Sequence, residues 1–191
     1  MTFWRWKAPV YSFARRLPLF RHILAAERNN LVKLLQKFPP GPGIHLDLGS
    51  GSGDNFDILP SNSERIAVDA EWSMLARNPL SSQVVARAEA LPFSSQRFAF
   101  VSAIGLLEYI TDGQIFFREV GRVLQPEGYF LFTSSPPNWA NLWRFIWGEK
   151  LYFKTAQQIH NILMTNGWRI FGYERSWLQE QWLVGREVPP F

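Results

Sequence analysis

The 191-residue chain contains no cysteine. This absence excludes a disulfide framework, a thiolate nucleophile and any metal site that requires a cysteine ligand. The three histidines, His22, His45 and His160, are far apart and show no spacing typical of metal ligands. We therefore expect no bound metal.

Long apolar runs are also missing. The longest extends from Phe98 to Leu107 with Ser102 and Gly105 inside it, which is about half of what a membrane-spanning helix needs. The N-terminus has neither the apolar stretch nor the small-residue cleavage site of a secretory signal. The sequence therefore predicts a cytoplasmic protein.

Acidic residues are absent before Glu27, whereas the same stretch carries five basic residues: Arg5, Lys7, Arg15, Arg16 and Arg21. The rest of the chain holds 15 basic and 16 acidic residues, so the net charge of +4 belongs to the N-terminal segment. A nucleic-acid-binding domain usually carries a basic face on its folded body. Nucleic acid is therefore an unexpected partner.

From residue 44 onward, short apolar segments alternate with amphipathic ones. This alternation is typical of a single doubly wound, Rossmann-like α/β domain with a mostly parallel seven-stranded sheet and an antiparallel last strand. We expect residues 1–43 to form a basic, aromatic arm and a helix, and residues 44–191 to form the domain. The predicted strands are Ile44–Leu48, Arg65–Asp69, Gln83–Arg87, Phe98–Ala103, Gly128–Ser134, Trp168–Glu174 and Gln181–Arg186.

Capping and stop signals delimit the predicted helices. Thr111 and Thr155 are each followed three residues later by glutamine, which is the pattern of a capping box. Ligands of such a sheet are expected at the carboxyl ends of its strands, where the strand order reverses. Helices are predicted over about residues 19–38, near Asp54–Leu59, over Glu71–Asn78, from Thr111 to Leu124, and from Thr155 to Asn166-Gly167.

A glycine-rich segment, Asp47-Leu48-Gly49-Ser50-Gly51-Ser52-Gly53, follows the first predicted strand. Alternate glycines permit positive φ and allow the backbone to approach a ligand closely, although many such segments are plain turns. A dinucleotide-binding loop needs glycine where Asp54 stands, and a P-loop needs a Gly-Lys-Ser/Thr ending that is absent. What remains is an acid before Gly-x-Gly-x-Gly, with a second acid, Asp69, 22 residues after Asp47.

This pattern resembles the class I methyltransferases, in particular small enzymes similar to quinone and sterol methyltransferases. Ala86–Phe93, Phe98–Asp112 and Glu119–Tyr129 are similar to further blocks of that family, in the same order and spacing. The resemblance covers about residues 44–134. It implies S-adenosyl-L-methionine as cofactor and methyl transfer to a small or lipophilic acceptor.

The resemblance also implies roles for individual residues. Asp69 would accept both ribose hydroxyls, because an ionised carboxylate can take several donors. Asp47 would orient the ammonium of the methionine part or would only brace the glycine turn. Met74 would pack on the adenine or belong to the core. The full set implied for the cofactor is Asp47, Gly49, Ser50, Gly51, Gly53, Asp69, Ala70, Met74, Ala88, Glu89, Leu91 and Ile104.

Two positions depart from the family pattern. Arg87 stands where many relatives have an acid that accepts from the adenine amino group, and arginine cannot accept a hydrogen bond. Either Glu89 substitutes, or the contact is lost. Tyr109 stands where relatives often have histidine; it is a candidate catalytic residue or a tyrosine that only packs. Glu108 and His160 are further candidates for a base, which is needed only if the acceptor must lose a proton.

Two aromatic segments lie outside the matched blocks. One is the N-terminal arm, which mixes aromatic and basic residues and suits peripheral contact with an acidic membrane; nucleic-acid contact and a solvated tail are the alternatives. In the other, Trp139, Trp143 and Trp147 recur every four residues and would form one stripe of a helix. That stripe would form a lid over a lipophilic substrate or pack on the core.

Two other functions stay open on the sequence alone. A catalytically silent methyltransferase-like module would keep the fold and serve as an assembly or interaction partner, and Arg87 favours this alternative. A Rossmann oxidoreductase is disfavoured by Asp54, which replaces the third glycine of a dinucleotide-binding loop.

Overall fold

The computed structural model describes residues 18–59, 63–138 and 150–186. The tryptophan stripe at residues 139–147 and residues 1–17 of the arm lie outside this part of the chain. The elements are α1 (Pro18–Lys37), β1 (His45–Leu48), β2 (Arg65–Asp69), α2 (Trp72–Leu75), β3 (Gln83–Val85), β4 (Phe98–Ala103), a 3₁₀ turn (Leu107–Tyr109), α3 (Gly113–Val123), β5 (Leu124–Ser134), α4 (Ala156–Thr165), β6 (Trp168–Arg175) and β7 (Glu180–Arg186).

All seven strands form one sheet in the order β3-β2-β1-β4-β5-β7-β6. Strands β1 to β5 run parallel to one another, and β7 pairs antiparallel with both β5 and β6. The predicted doubly wound, mostly parallel sheet with an antiparallel last strand is therefore confirmed. The strand order reverses between β1 and β4, so a ligand crevice is expected at their carboxyl ends.

The sheet is covered on both faces. All six residues of β4 are buried, as expected for a central strand of a parallel sheet. One face packs against α3 and α4 through an aromatic cluster that contains Phe116, Phe117, Phe130, Phe132 and Trp168. The other face packs against α1, through a cluster that contains Leu31, Leu34, Leu35, Leu131 and Leu183.

One of the two predicted capping boxes is present. The Thr155 side chain accepts from the backbone N–H of Gln158, whose side chain accepts in turn from the backbone N–H of Thr155. The prediction that Thr111 caps α3 is wrong. Asp112 is the N-cap, and its carboxylate accepts from the N–H groups of the second and third helical residues. An ionised carboxylate is a stronger acceptor than a hydroxyl and is also favoured by the helix dipole.

The prediction of a helix near Asp54–Leu59 is also wrong, because these residues form turns. Phe56 N–H donates to Gly53 O, a three-residue step that does not continue as a helix. Ser52 Oγ donates to the Asp54 carboxylate, and such short polar side chains favour local turn bonds over helical ones.

The second helix is shorter than the predicted Glu71–Asn78 and ends at Leu75. Asn78 leaves the helical path, because its side chain bonds to the glycine loop and Pro79 follows it. The third strand ends two residues earlier than predicted, at Val85, and β5 begins four residues earlier, at Leu124. No helix in the described residues is long and apolar enough to cross a membrane.

Candidate active site at the carboxyl edge of the sheet

The glycine loop leaves β1 in a left-handed conformation that favours glycine. Gly49, Gly51 and Gly53 have φ of +64°, +52° and +81°. A Cβ on Gly49 would lie 2.9 Å from Leu106 Cδ1, and a Cβ on Gly51 would lie 3.4 Å from Met74 Cε. Side chains at these positions would occupy the space between the loop and its neighbours. The loop therefore presents bare backbone at the edge of the sheet.

Asn78 braces the glycine loop from outside. Its Nδ2 donates to Ser50 Oγ at 2.8 Å and to Gly51 O at 3.1 Å, and its Oδ1 accepts from the N–H of Leu80. Ser50 Oγ donates in turn to Asp47 Oδ2 at 2.7 Å. The sequence reasoning missed this residue, whose only signal was an Asn-Pro pair at the end of the predicted helix.

Asp47 is a buried carboxylate on β1. Its Oδ1 accepts from Ser102 Oγ on the neighbouring β4 at 2.6 Å, and its Oδ2 accepts from Ser50 Oγ. Burial raises the pKa of Asp47, and the two hydroxyl bonds partly offset that effect. Among the described residues, no cation forms an ion pair with this carboxylate. The site is therefore suited to receive a positively charged group.

Asp69 ends β2 and faces the same loop. Its Oδ2 accepts from Gly51 N–H at 3.0 Å, and its Oδ1 accepts from Glu71 N–H at 2.9 Å. Burial raises the pKa of Asp69, while these backbone bonds favour the ionised form. Each carboxylate oxygen has two lone pairs. One acceptor position on each oxygen is thus left, which matches a pair of neighbouring hydroxyls.

The loop after β3 begins beside Asp69, whose carbonyl accepts from the N–H of Ala86. Two residues of α3 clamp its far end. Glu119 accepts from Leu91 N–H at 2.7 Å, and Arg122 donates to the carbonyls of Leu91 and of Phe93. Arg122 also pairs with Glu119, which lowers the pKa of that carboxyl. The sequence reasoning did not assign this clamp.

Arg87 and Glu89 form an ion pair at the start of that clamped loop. Arg87 Nη2 lies 3.1 Å from Glu89 Oε1, with the arginine side chain 73% exposed and the glutamate side chain 16% exposed. The pair uses one oxygen of Glu89 and leaves its other oxygen as a candidate acceptor. Whether Glu89 replaces the usual acid stays a prediction.

The structure thus brings Asp47, the glycine loop, Asp69 and Met74 together at one edge. The other residues predicted to bind the cofactor, and the catalytic candidates, differ in their exposure to solvent. Ala88 and Leu91 are buried in the core, Met74, Ile104 and Tyr109 are half-buried, and Ala70 and His160 are exposed. Their individual roles stay predictions.

Comparison with known proteins indicates which ligand this edge of the sheet binds. A family model described as a methyltransferase domain matches residues 46–132, the stretch that carries Asp47, the glycine loop, Asp69 and the 3₁₀ turn. Residues 46–132 therefore match a methyltransferase domain. The cofactor of such enzymes is S-adenosylmethionine, and the bare glycine backbone between the buried Asp47 and the half-buried Asp69 fits such a ligand.

Two curated relatives carry methyltransferase names. A thiol S-methyltransferase of Homo sapiens, TMT1A, is 25% identical over 171 residues, which cover 78% of this chain and 67% of the relative. A malonyl-[acyl-carrier protein] O-methyltransferase of Halorhodospira halophila is 26% identical and covers 72% of this chain and 51% of the relative. The chain spans 41% to 67% of the lengths of the curated relatives it matches.

A solved structure shows the same fold. The magnesium protoporphyrin IX methyltransferase ChlM from Synechocystis, with bound S-adenosylhomocysteine, superposes with a TM-score of 0.69 at 14% identity. The match covers 90% of this chain and 88% of that one.

Proposed function

We propose that this protein is a methyltransferase that transfers the methyl group of S-adenosylmethionine to a small or lipophilic acceptor. The observation that carries this proposal is the geometry of Asp69. Its carboxylate is bonded to the backbone N–H of Gly51 and keeps one acceptor position on each oxygen. A ribose with two neighbouring hydroxyls would fill both positions beside the glycine loop.

The other residues of the edge would hold the rest of the donor. Asp47 would face the ammonium of the methionine part, directly or through water, because its buried charge has no ion-pair partner among the described residues. Met74 would cover the adenine, and Ala88 would donate a backbone N–H to it. When bound, S-adenosylmethionine supplies a methyl group already activated on a sulfonium. The protein contributes mainly alignment and exclusion of water.

Exposed aromatic residues near the same edge support an apolar acceptor. Trp177, 54% exposed, lies in the hairpin between β6 and β7, and its carbonyl accepts from Asn138 Nδ2, which follows β5. Tyr152 and Tyr173 are each 41% exposed. The name of one relative, a thiol S-methyltransferase, is compatible with such an acceptor. We further propose that the protein is cytoplasmic and that its basic N-terminal arm contacts an acidic membrane peripherally.

Thermal unfolding tests the donor assignment. S-adenosylmethionine, S-adenosylhomocysteine and NAD are added in parallel, and a ligand that binds only the native state raises the midpoint. We expect stabilisation by the first two. Stabilisation by NAD alone would contradict the proposal and favour an oxidoreductase.

A second measurement separates an enzyme from a silent module. Release of S-adenosylhomocysteine is followed with thiol, hydroxyl, amine and carboxylate acceptors of increasing chain length. Turnover with any of them supports the proposal. Donor binding without turnover of any acceptor would favour a module that binds the cofactor and serves as an interaction partner.

A further inference from the structure

Glu108 is a buried carboxylate without a hydrogen-bond partner in the part of the chain that the structure describes. It lies in the 3₁₀ turn after β4, is 2% exposed, and neither of its side-chain oxygens is hydrogen-bonded to any described residue. Burying a charged group costs free energy unless hydrogen bonds compensate it. Most buried polar groups in folded proteins are hydrogen-bonded, so an exception needs an explanation.

The position of the turn connects Glu108 to the donor loop. Leu106, two residues earlier, packs directly over Gly49, since a Cβ there would be 2.9 Å from its Cδ1. The backbone carbonyl of Glu108 accepts from the N–H of Tyr152 at 2.7 Å. The turn therefore stands between the glycine loop and the chain that follows β5, on the side where the aromatic residues of the proposed acceptor site lie.

Lys154 does not neutralise Glu108 through a hydrogen bond. Its ammonium donates to the carbonyls of Ile110 at 2.9 Å and of Tyr152 at 3.2 Å. Burial lowers the pKa of Lys154, and the charges of Glu108 and Asp112 oppose that shift. Lys154 thus interacts with Glu108 only through the attraction between their charges, without a hydrogen bond. No described residue donates a hydrogen bond to the carboxylate.

We propose that Glu108 contacts the methyl acceptor and accepts the hydrogen borne by the atom that is methylated. The acceptor is then a thiol, hydroxyl or amine, and a carboxylate is rejected. This inference rests on the proposed function. As the nucleophilic atom bonds to the methyl carbon, the carbon–sulfur bond breaks with its electron pair left on sulfur, and the proton passes to the Glu108 carboxylate and then to water.

The exclusion of carboxylates follows from charge. A carboxylate acceptor would place a second negative charge against Glu108 in a site that excludes water, where like charges repel strongly. A neutral or cationic head group would instead donate a hydrogen bond to an oxygen that otherwise lacks one.

The test compares six-carbon probes that differ only in their head group: hexanethiol, hexanol, hexylamine and hexanoate. Binding to the protein with S-adenosylhomocysteine present is measured by calorimetry, which needs no turnover. We expect the wild type to bind hexylamine at least about tenfold more tightly than hexanoate. Glu108→Gln, which keeps the shape and removes the charge, should lose this preference.

Turnover and stability are measured on the same variant. Glu108→Gln should lower kcat/KM for the methylated probes by about 100-fold or more, while the shift of the unfolding midpoint by S-adenosylmethionine stays unchanged. Its unliganded midpoint should not fall, because a buried charge is removed. Lys154→Met is the matched control and should keep the head-group preference.

Several results would overturn the inference. One is binding of hexanoate by the wild type that is equal to or tighter than that of hexylamine. Others are an unchanged kcat/KM in Glu108→Gln, or failure of the wild type to methylate any proton-bearing probe. A further one is a parallel loss of folding stability in Glu108→Gln and Lys154→Met. The last would make Glu108 a structural counter-charge. Failure of the proposed function is recognised separately, because S-adenosylmethionine would then not stabilise the wild type.

Discussion

Replacement of Asp69 by alanine tests the donor site most directly. The substitution removes the two acceptor positions proposed for the ribose, and it also leaves the N–H groups of Gly51 and Glu71 without their present partner. The relief of a buried charge partly compensates these losses. The unliganded protein should therefore stay folded with a moderately lower unfolding midpoint.

The expected loss of binding follows from the hydrogen bonds removed. Two bonds to a charged group contribute about 1.5–3 kcal/mol each, so the dissociation constant should rise by roughly 10²- to 10⁴-fold. With S-adenosylmethionine at 100 times the wild-type dissociation constant, the wild type gains about 2.7 kcal/mol, and a variant weakened 100-fold gains about 0.4 kcal/mol. For a domain of this size the shift of the midpoint should fall from about 5–11 °C to about 1–2 °C.

The assay is thermal unfolding of wild type, Asp69→Ala and Asp69→Asn, with and without S-adenosylmethionine. The asparagine variant keeps one acceptor oxygen and should fall between the other two. Asp57→Ala is the control, because Asp57 is an exposed carboxylate paired with Arg28. Its donor-induced shift should equal that of the wild type. If Asp69→Ala retained half or more of that shift, the ribose assignment would be refuted.

Four further outcomes are expected. Gly49→Ala should lower the free energy of unfolding by about 1–2 kcal/mol in chemical denaturation, because a left-handed backbone and Leu106 oppose its Cβ. Burial raises the pKa of Asp47, so the free energy of unfolding should decrease as the pH rises above about 4, the ordinary pKa of aspartate. Asp47→Asn should remove that decrease and should weaken donor binding in calorimetry. Arg122→Met should raise the KM for S-adenosylmethionine more than it lowers kcat, because it frees the loop that holds Leu91; equal effects on both would contradict a positioning role. Burial lowers the pKa of His45, so stability should fall as the pH drops below about 6.5, and His45→Phe should flatten that slope in urea titrations.

Much of the framework could be predicted from local signals. The strands Arg65–Asp69 and Phe98–Ala103 have the predicted bounds, because each is an apolar run bounded by polar or turn residues. Helix α4 also has its predicted start, since Thr155 and Gln158 lie one turn apart and cap it within the same segment.

Predictions failed where local signals compete. Thr111 and Asp112 are both acceptable N-caps, and the choice depends on which side chain reaches the free N–H groups. After the glycine loop, the residues between Ser52 and Asp57 form turns with local hydrogen bonds, such as the one from Ser52 Oγ to Asp54, and no helix begins there. A sequence pattern does not rank such alternatives, because their free energies differ by about 1 kcal/mol.

The sequence by itself determined the glycine loop, the acids Asp47 and Asp69 and the strand alternation, because each depends on neighbours within a few residues or on a regular period. Only the tertiary structure decided what surrounds them. Asn78 reaches Gly51 across 27 residues, and Ser102 reaches Asp47 across 55. The same holds for Glu108: no pattern shows that a carboxylate is buried without a partner, since burial and hydrogen bonding are properties of the whole packed fold.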